Sequence, residues 1–380
     1  MVDQRRKRIG ILFIFKSRWL GGLYYLLNII KACEYLPKEL QPELTLFYNK
    51  RTKVYLDSIT YPQIKFVEID VDFTFKRYFK SLILNKNLFF IDEFTKHNLD
   101  VIFPFNDFVG NIKGNKIKLI SWIPDFQHKF YPEYFNKLSL LLREFKFRSI
   151  VSKADGLILS SISTYNHFKK FYQPSNTFKV HIVKFTSIIE VDQLPEKDLI
   201  NTKYKIDNNY FIVCNQFYRH KNHLIVLKAL KVLKDQGKIY SVVFTGKPDQ
   251  SQDVKLLTDI EEYITKHGLG VQVKLLGLLP RTDQLSLMKN AICVIQPSKF
   301  EGWSTVIEDA KTLQKLVIAS NLDVHIEQLG EKGLFFYPDN ASELAECMIK
   351  AVKMPSNPNL WESLAIRTGK FAKDLLIALN

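Results

Sequence analysis

The chain has 380 residues, of which 46% are hydrophobic and 24% charged, and its net charge is +15. This length and apolar content exclude a disordered chain and favour two globular domains over one. No run of about 18 apolar residues predicts a transmembrane helix, and the charged N-terminus lacks the features of a signal peptide. We therefore expect a cytoplasmic protein.

The positive charge is concentrated in the first half of the chain. Residues 1–200 contain 31 Lys and Arg against 20 Asp and Glu, whereas residues 201–380 contain 23 against 19. A basic half is typical of proteins that bind nucleic acid, an anionic membrane or an anionic substrate. No nucleic-acid recognition module is visible, so we expect no nucleic-acid partner. Segment 73–90 combines lysines with aromatic residues, which fits an interfacial helix and a core helix about equally well.

The first half alternates strand-like and helix-like segments. Short apolar runs predict buried strands at residues 8–15, 44–48, 64–69, 101–105, 117–123, 156–160 and 180–185. Helical periodicity lies between several of them, as at 22–35 and 134–152. The polar stretch 189–209 contains Pro195 and lacks sustained periodicity, so it predicts a linker between domains 1–188 and 210–357.

The second half alternates more regularly. Strands are predicted at 211–215, 241–245, 273–277, 292–296, 316–319 and 334–337, and helices at 222–236, 254–267, 282–289, 305–313 and 341–353. Strands separated by helices of this length predict parallel sheets, whose ligands bind at the carboxyl ends of the strands.

The last segment, 358–380, predicts one more helix. Its apolar face consists of Trp361, Leu364, Ala365, Phe371 and Leu375. We expect this C-terminal face to pack back on the N-terminal domain; docking on the nearer C-terminal domain is the alternative.

Neither the cysteines nor a paired-aspartate motif predicts a bound metal. The four cysteines, Cys33, Cys214, Cys293 and Cys347, are far apart and lack ligand spacing, so they predict buried free thiols. Asp70-Val71-Asp72 has the D-x-D spacing by which some enzymes bind a divalent ion. Because this spacing is common by chance, we interpret it as a turn at the end of a strand.

The most informative stretch is 296–310, with the sequence QPSKFEGWSTVIEDA. A strand ends, a loop follows and a helix begins near Thr305, which predicts an anion site at the helix N-terminus. Glu301 and Glu308 lie on either side of this site and could accept hydrogen bonds from sugar hydroxyls. The alternatives are structural, since Thr305-x-x-Glu308 has the form of a capping box and Glu301 could be a solvated loop charge.

From about residue 211 to 353 the sequence resembles the donor half of retaining GT-B glycosyltransferases of family 4, the group 1 type. Four blocks match in order: VCNQFYRHKN at 213–222, FTG at 244–246, the segment from GLLPR at 277–281 through Ala291, and the paired-glutamate motif at 296–310. The resemblance implies two Rossmann-like domains with parallel sheets that face each other across a cleft.

The resemblance also implies site residues. Lys221 would contact the donor diphosphate, Glu301 the transferred sugar and Glu308 the ribose. The amides of Ser304 and Thr305 would hold the distal phosphate, and Gly246 and Gly302 would border the donor.

Two features depart from the family pattern. Six residues separate Glu301 from Glu308 where the family usually has seven, and Gln216 replaces an arginine. We expect Arg219 or His220 to supply the missing cation.

The N-terminal half resembles the family at two places. Gly21-Gly22 after the first strand resembles its glycine loop, where backbone approaches donor and acceptor. SWIPDFQH at 121–128 resembles the loop with its active-site histidine, so His128 would hydrogen-bond the donor sugar, with Asp125 as a weaker candidate. The structural alternatives are a plain helix start and a core histidine.

Together these features predict a retaining, metal-independent glycosyltransferase that needs no cofactor beyond its nucleoside-diphosphate sugar donor. Its acceptor would be a glycan or a lipid-linked molecule, and the enzyme would act in cell-surface polysaccharide synthesis. It would work in the cytoplasm or at the inner face of the plasma membrane. An anionic membrane surface is then a further partner. A non-hydrolysing sugar-nucleotide epimerase and a catalytically silent glycan-binding homologue remain alternatives.

Overall fold

The computed structural model describes residues 5–14, 20–69, 79–81, 83–84, 87, 90–107, 117–207, 209–247 and 254–380. The chain divides into two compact units. The first comprises Met1–Thr186 together with Ala365–Asn380, and the second comprises Ser187–Leu364. Each unit is built on a parallel sheet, which confirms the predicted α/β class; the cleft between them remains a prediction.

The first unit contains a seven-stranded parallel sheet. Its strands are β1 (Arg8–Phe13), β2 (Glu43–Tyr48), β3 (Ile64–Glu68), β4 (Val101–Phe103), β5 (Lys118–Ile123), β6 (Gly156–Leu159) and β7 (Lys179–Ile182). Their order in the sheet is β3-β2-β1-β4-β5-β6-β7. All seven strands predicted from the first half are present. The central strands are buried, as apolar runs are on both faces of a parallel sheet, but β3 and β7 lie at its edges and contain no buried residue.

The helices of the first unit are α1 (Leu20–Cys33), α2 (Ile91–Phe94), α3 (Gln127–Phe130), α4 (Lys137–Lys153) and α5 (Ile162–Phe171). The core is strongly aromatic. Phe126 contacts Phe147, Phe168 and Tyr172 at ring-centroid distances of 5.8, 6.2 and 5.6 Å. Such clusters stabilise through both buried area and ring geometry.

The second unit contains a six-stranded parallel sheet. Its strands are β8 (Tyr210–Cys214), β9 (Ser241–Thr245), β10 (Val273–Leu275), β11 (Cys293–Gln296), β12 (Val317–Ser320) and β13 (Leu334–Phe336). The order is β10-β9-β8-β11-β12-β13, the doubly wound arrangement in which strand order reverses between β8 and β11. Ligands bind at such a reversal, beyond the carboxyl ends of the strands.

The remaining helices are α6 (Lys197–Tyr204), α7 (His223–Asp235), α8 (Val254–Lys266), α9 (Arg281–Asn290), α10 (Thr305–Thr312), α11 (Asp323–Leu329), α12 (Ala341–Lys353) and α13 (Leu364–Ala378). Short 3₁₀ turns occupy Lys53–Ser58, Pro132–Tyr134, Val191–Gln193, Arg219–Lys221 and Gly330–Lys332.

The stretch predicted as a linker, 189–209, differs from that expectation. It contains helix α6, and Ile189, Leu194, Ile200 and Ile206 are buried in the core of the second unit. These apolar residues are too widely spaced to give a periodic signal, so only their burial identifies the segment as part of a domain.

The C-terminal segment divides at the start of α13. Phe371 and Leu375 are buried on a helix that groups with the first unit. Trp361 was predicted to share the apolar face of this helix, but it precedes the helix and packs in the core of the second unit. Its indole nitrogen donates to the Lys315 carbonyl oxygen at 2.8 Å. Trp361 therefore anchors the chain to the second unit immediately before it crosses to the first.

Several predictions concern parts of the chain that are only partly described. All four cysteines are free and buried, as expected. Asp70, Asp72 and most of segment 73–90 lie outside the described residues. In the described parts, no helix is long and apolar enough to cross a membrane.

Candidate functional site

Two loops follow the strands on either side of the reversal in the second sheet. Strands β8 and β11 pair directly, with Phe211 opposite Cys293 and Ile212 opposite Val294. The carboxyl ends of parallel neighbours lie at one edge of the sheet, so residues 215–222 and 297–304 emerge side by side. Two predicted site residues, Lys221 and Glu301, belong to these two loops.

A hydrogen-bonded network joins the loops. The Lys221 ammonium donates to Glu301 Oε1 at 2.6 Å, and Gln296 Nε2 donates to the same oxygen at 2.7 Å. Asn215 Nδ2 in turn donates to Gln296 Oε1 at 2.9 Å. The last residue of β11 and the first residue after β8 thus orient the Glu301 carboxylate, which excludes the alternative of a freely solvated loop charge.

The Lys221–Glu301 pair is largely shielded from solvent, since the two side chains are 18% and 11% exposed. Burial alone would raise the pKa of Glu301, but the adjacent Lys221 ammonium outweighs this effect and holds the pKa below its ordinary value. Glu301 is therefore ionised at neutral pH, and the pair places a cation and an anion at the sheet edge where ligands bind.

Two residues were expected to replace the cation of the family's arginine, and contact of either His220 or Arg219 with a donor remains a prediction. Burial and the neighbouring Lys221 lower the pKa of His220 to about 3, so its ring is neutral at physiological pH. Arg219 begins the Arg219–Lys221 turn and is exposed. Gln216 lies between β8 and this turn, and its carbonyl oxygen accepts from the Tyr218 amide at 2.8 Å.

Gly246 allows the chain after β9 to pass against the loop after β8. Its φ is +144°, and a Cβ there would lie 2.0 Å from the Asn215 carbonyl oxygen. No other residue fits without moving the backbone that carries the Asn215–Gln296 hydrogen bond. Gly246 is therefore required for the shape of the site, and its contact with a donor remains a prediction.

The helix after the second loop begins at Thr305, as predicted, but its N-cap is Ser304. Ser304 Oγ accepts from the Ile307 amide at 3.3 Å, so the proposed capping box between Thr305 and Glu308 is wrong. Gly302 is buried two residues before the cap.

Gln328 on α11 holds the start of this helix. Gln328 Oε1 accepts from the Ser304 amide at 3.1 Å, and Nε2 donates to the Ser304 carbonyl oxygen and to Glu308 Oε1, each at 2.9 Å. The Lys311 ammonium also reaches Glu308 Oε1, at 3.2 Å. Glu308, 2% exposed, is thus positioned by side-chain contacts. The Ser304 amide, expected to bind phosphate, already donates to Gln328.

The sequence did not identify His325, which is fully buried near Glu301. Its Nδ1 lies 2.9 Å from the Ser320 carbonyl oxygen, which can only accept, so Nδ1 holds the proton and Nε2 is an acceptor. Nε2 has no hydrogen-bond partner among the described residues. Burial lowers the pKa of His325 against the opposing influence of Glu301. Gln296 and Gln328 were likewise missed, because lone amides carry no motif signal.

The predicted residues of the first half lie within the first unit. Gly21 and Gly22 fall in the first turn of α1, with Gly21 exposed and Gly22 buried. His128 on α3 is buried, its ring 5.2 Å from that of Phe147, and neither ring nitrogen has a partner among the described residues. Burial, with Arg143 and Lys129 nearby, lowers the pKa of His128 to about 4. Contact of these residues with a donor remains a prediction.

Comparison with known proteins supports the resemblance of the motif blocks. Residues 196–368 match the family model described as glycosyl transferases group 1, and this segment includes Lys221, Glu301 and Glu308. Over this segment, the chain is similar to the group 1 glycosyltransferases.

Among curated proteins, the capsular polysaccharide biosynthesis glycosyltransferase CapH of Staphylococcus aureus is 26% identical over 129 residues. The aligned region covers 34% of this chain and 35% of CapH. The chain therefore matches about a third of the length of this relative.

Solved structures match nearly the whole chain, and two of them serve as examples. A glycosyltransferase from Rickettsia africae ESF-5 has a TM-score of 0.65 at 16% identity, covering 98% of this chain and 93% of that one. Anabaena Alr3699/HepE, in complex with UDP and glucose, has a TM-score of 0.64 at 18% identity, covering 99% and 96%. At these identities the likeness shows the fold alone, which is the GT-B fold of glycosyltransferases.

Proposed function

We propose that this chain is a retaining, metal-independent glycosyltransferase that moves a sugar from a nucleoside-diphosphate sugar to a glycan or lipid-linked acceptor. The observation that supports this most directly is the buried Lys221–Glu301 pair at 2.6 Å, beyond the carboxyl ends of β8 and β11. The family match over residues 196–368 and the similarity to CapH favour a role in cell-surface polysaccharide synthesis.

In this proposal each site residue contacts a different part of the donor. Lys221 contacts the diphosphate and Glu301 the sugar hydroxyls beside the anomeric carbon, while Glu308 accepts from the ribose. The end of α10 near Thr305 and Gly302 adds backbone dipoles to the phosphate side. Lys221 then supplies the charge that a divalent ion supplies in other glycosyltransferases, which is why no metal is required.

The proposed reaction breaks the bond between the anomeric carbon and the diphosphate oxygen. The acceptor hydroxyl approaches from the same face and forms the new glycosidic bond, so configuration is retained. Its proton passes to the departing phosphate oxygen, and no enzymic base is needed. Catalysis then consists of positioning and of stabilising the charge that develops on the leaving group.

The donor base is found by measuring the melting temperature of the protein with UDP, GDP, dTDP, ADP or CMP. We expect one nucleoside diphosphate to stabilise the protein, because a ligand that binds only the folded state raises the midpoint. The matching sugar nucleotide is then supplied, and the anomeric configuration of the product is read by NMR. Inversion of configuration would contradict the mechanism, and failure of every nucleotide to bind would contradict the function.

The two alternatives give different products. An epimerase converts its sugar nucleotide into an isomer without releasing nucleoside diphosphate. A silent glycan-binding homologue binds the nucleotide or a glycan but releases no nucleoside diphosphate with any acceptor. Release of nucleoside diphosphate that depends on the acceptor separates the proposed enzyme from both.

We also propose that the enzyme works in the cytoplasm, where sugar nucleotides are available, and at the inner face of the plasma membrane if its acceptor is lipid-linked. Four buried free thiols suit a reducing compartment.

A further inference from the structure

Helix α4 has a second apolar face that is turned to solvent. Its inner face buries Phe147 and Ile150, whereas large apolar side chains on the outside are 65%, 67%, 42% and 43% exposed, at Leu138, Leu141, Leu142 and Phe145 respectively. Their spacing of three, one and three residues aligns them along one side of a helix. We call these four residues the apolar stripe. Exposed patches of this kind mark interaction surfaces.

Basic residues lie along both sides of the stripe. At about 100° per residue, Lys137 and Arg148 fall on one side of it and Lys146 and Lys153 on the other. These four residues are the basic border. The helix sequence contains a single acid, Glu144.

Glu144 is already matched by cations. Lys129 Nζ from α3 lies 2.6 Å from Glu144 Oε2, and Arg148 Nε lies 2.8 Å from Oε1. Burial alone would raise the pKa of Glu144, but these contacts and the Tyr172 hydroxyl hold it below its ordinary value. The helix surface therefore presents the apolar stripe between the two sides of the basic border.

The charge pattern selects the kind of partner. Protein interfaces are depleted of lysine, whereas helices that lie in a bilayer interface combine an apolar face with a lysine- and arginine-rich border. Lipid phosphates complement such a border, and the acyl region accommodates the leucines and phenylalanine.

We propose that α4 docks the protein on an anionic lipid bilayer, with the apolar stripe inserted below the headgroups and the basic border against the lipid phosphates. The membrane contact then lies on α4 and not on segment 73–90. A lipid-linked acceptor would make this surface useful, and to that extent the inference rests on the proposed function. Docking itself is measured without transfer, so the two proposals fail separately.

The test uses cosedimentation of the full chain with vesicles of phosphatidylcholine alone or mixed with phosphatidylglycerol. We expect binding to the mixed vesicles only, weakening steeply with salt. Leu138→Ser with Leu141→Ser should lower the partition coefficient at least about tenfold, because two leucines no longer leave water. Lys146→Gln with Lys153→Gln should lower it and flatten the salt dependence. The matched control is Ile239→Ser with Val271→Ser, two residues of the second unit that are 76% and 91% exposed.

Insertion is measured directly by a label. Because all four native cysteines are buried, Leu141→Cys can be labelled with an environment-sensitive dye, which we expect to shift to the blue on anionic vesicles. Nucleotide binding by each variant checks that the protein is folded and that the proposed donor site is intact.

Three results would overturn the proposal. The first is unchanged vesicle binding by the leucine variant. The second is loss of binding only when Lys76, Arg77 and Lys80 are changed, which would return the contact to segment 73–90. The third is conversion of a dimer to a monomer by the leucine variant, seen in sedimentation velocity, which would make the stripe a protein interface.

Discussion

Lys221 and Glu301, 80 residues apart in sequence, form a 2.6 Å ion pair that joins the loops after β8 and β11. Each was expected to contact a different part of a donor, the diphosphate and the sugar. Their direct contact couples the two side chains, since the carboxylate orients the ammonium and the ammonium lowers the pKa of the carboxylate.

The first prediction concerns Lys221. Lys221→Met should lower kcat for nucleoside diphosphate release by about a hundredfold, because a preorganised charge on the leaving group is lost. Loss of one partner of a buried pair also destabilises the fold, so Lys221→Met with Glu301→Gln is assayed as well. The control is Lys299→Met, whose Nζ lies 2.5 Å from Asp339 in an exposed pair. Equal activity of the Lys221 and Lys299 variants would contradict a catalytic role for Lys221.

The second prediction concerns Glu308. Glu308→Gln keeps an oxygen that can accept from Gln328 and Lys311, so the melting temperature should change little. Loss of the charge should raise the nucleotide dissociation constant about tenfold, since hydrogen bonds to charged groups are the stronger ones. Isothermal titration calorimetry gives the nucleotide dissociation constants of the wild type, of Glu308→Gln and of a control, Glu343→Gln. Glu343 is an acid in the first turn of α12. If the variant kept its nucleotide affinity, Glu308 would have a purely structural role.

The third prediction concerns metal. Because Lys221 is proposed to replace a divalent ion, excess EDTA should leave the transfer rate about unchanged. The rate of nucleoside diphosphate release is followed before and after chelation, and again after Mn²⁺ is added. A rate lost to EDTA and restored by Mn²⁺ would instead implicate Asp70 and Asp72.

The fourth prediction concerns His325. Its buried Nε2 is an acceptor without a partner among the described residues, close enough to Glu301 for the carboxylate to affect its pKa. We expect this nitrogen to accept from a hydroxyl of the donor sugar. His325→Phe should then raise KM for the sugar nucleotide and leave the Kd of the free nucleoside diphosphate unchanged. A parallel loss of affinity for both would assign His325 to the shape of the nucleotide site.

The fifth prediction concerns acid stability. The pKa of His128 is lowered from 6.5 to about 4 by burial and by Arg143 and Lys129. The unfolded chain therefore binds a proton that the folded chain does not, so the free energy of unfolding should fall as pH drops from about 6.5 to about 4. A single such group contributes a slope of about 1.4 kcal/mol per pH unit within that window.

His128→Gln should flatten this slope, which is measured by tryptophan fluorescence during chemical denaturation at a series of pH values. The pKa values of His181 in the first unit and of His220, His223 and His325 in the second unit are also lowered, so the slope should flatten without vanishing. The control is His267→Gln, in the loop after α8. A slope unchanged by His128→Gln would mean that the folded protein does not keep this ring neutral.

Much of the fold could be predicted because buried parallel strands are short apolar runs. All 13 strands appear where the apolar runs predicted them, with ends shifted by at most three residues. The prediction was wrong where apolar residues were few and spaced irregularly, as at Ile200 and Ile206, or where a helical pattern began too early, as at Trp361.

The candidate site was predictable only in part. Lys221, Glu301 and Glu308 were identified because they belong to motif blocks whose order and spacing resemble a family. Gln296, Gln328 and His325 were not, since nothing in a single sequence distinguishes a site amide or imidazole from an ordinary polar residue. The capping-box interpretation was wrong because Ser304 and Thr305 both suit an N-cap and local sequence does not decide between them.

The sequence by itself determined the two α/β domains, their parallel sheets and the loops that carry the charged residues, because these follow from local periodicity and turn chemistry. Only the tertiary structure decided which side chains meet. The reversal of strand order between β8 and β11 places two loops 80 residues apart at one sheet edge, and burial there makes the Lys221–Glu301 contact strong. Burial also keeps the His220 ring neutral. The packing of the inner face of α4 against the first unit leaves the apolar stripe on the opposite face exposed to solvent. These outcomes depend on the whole packed chain, since the solvent exposure of a residue is not a property of its own segment.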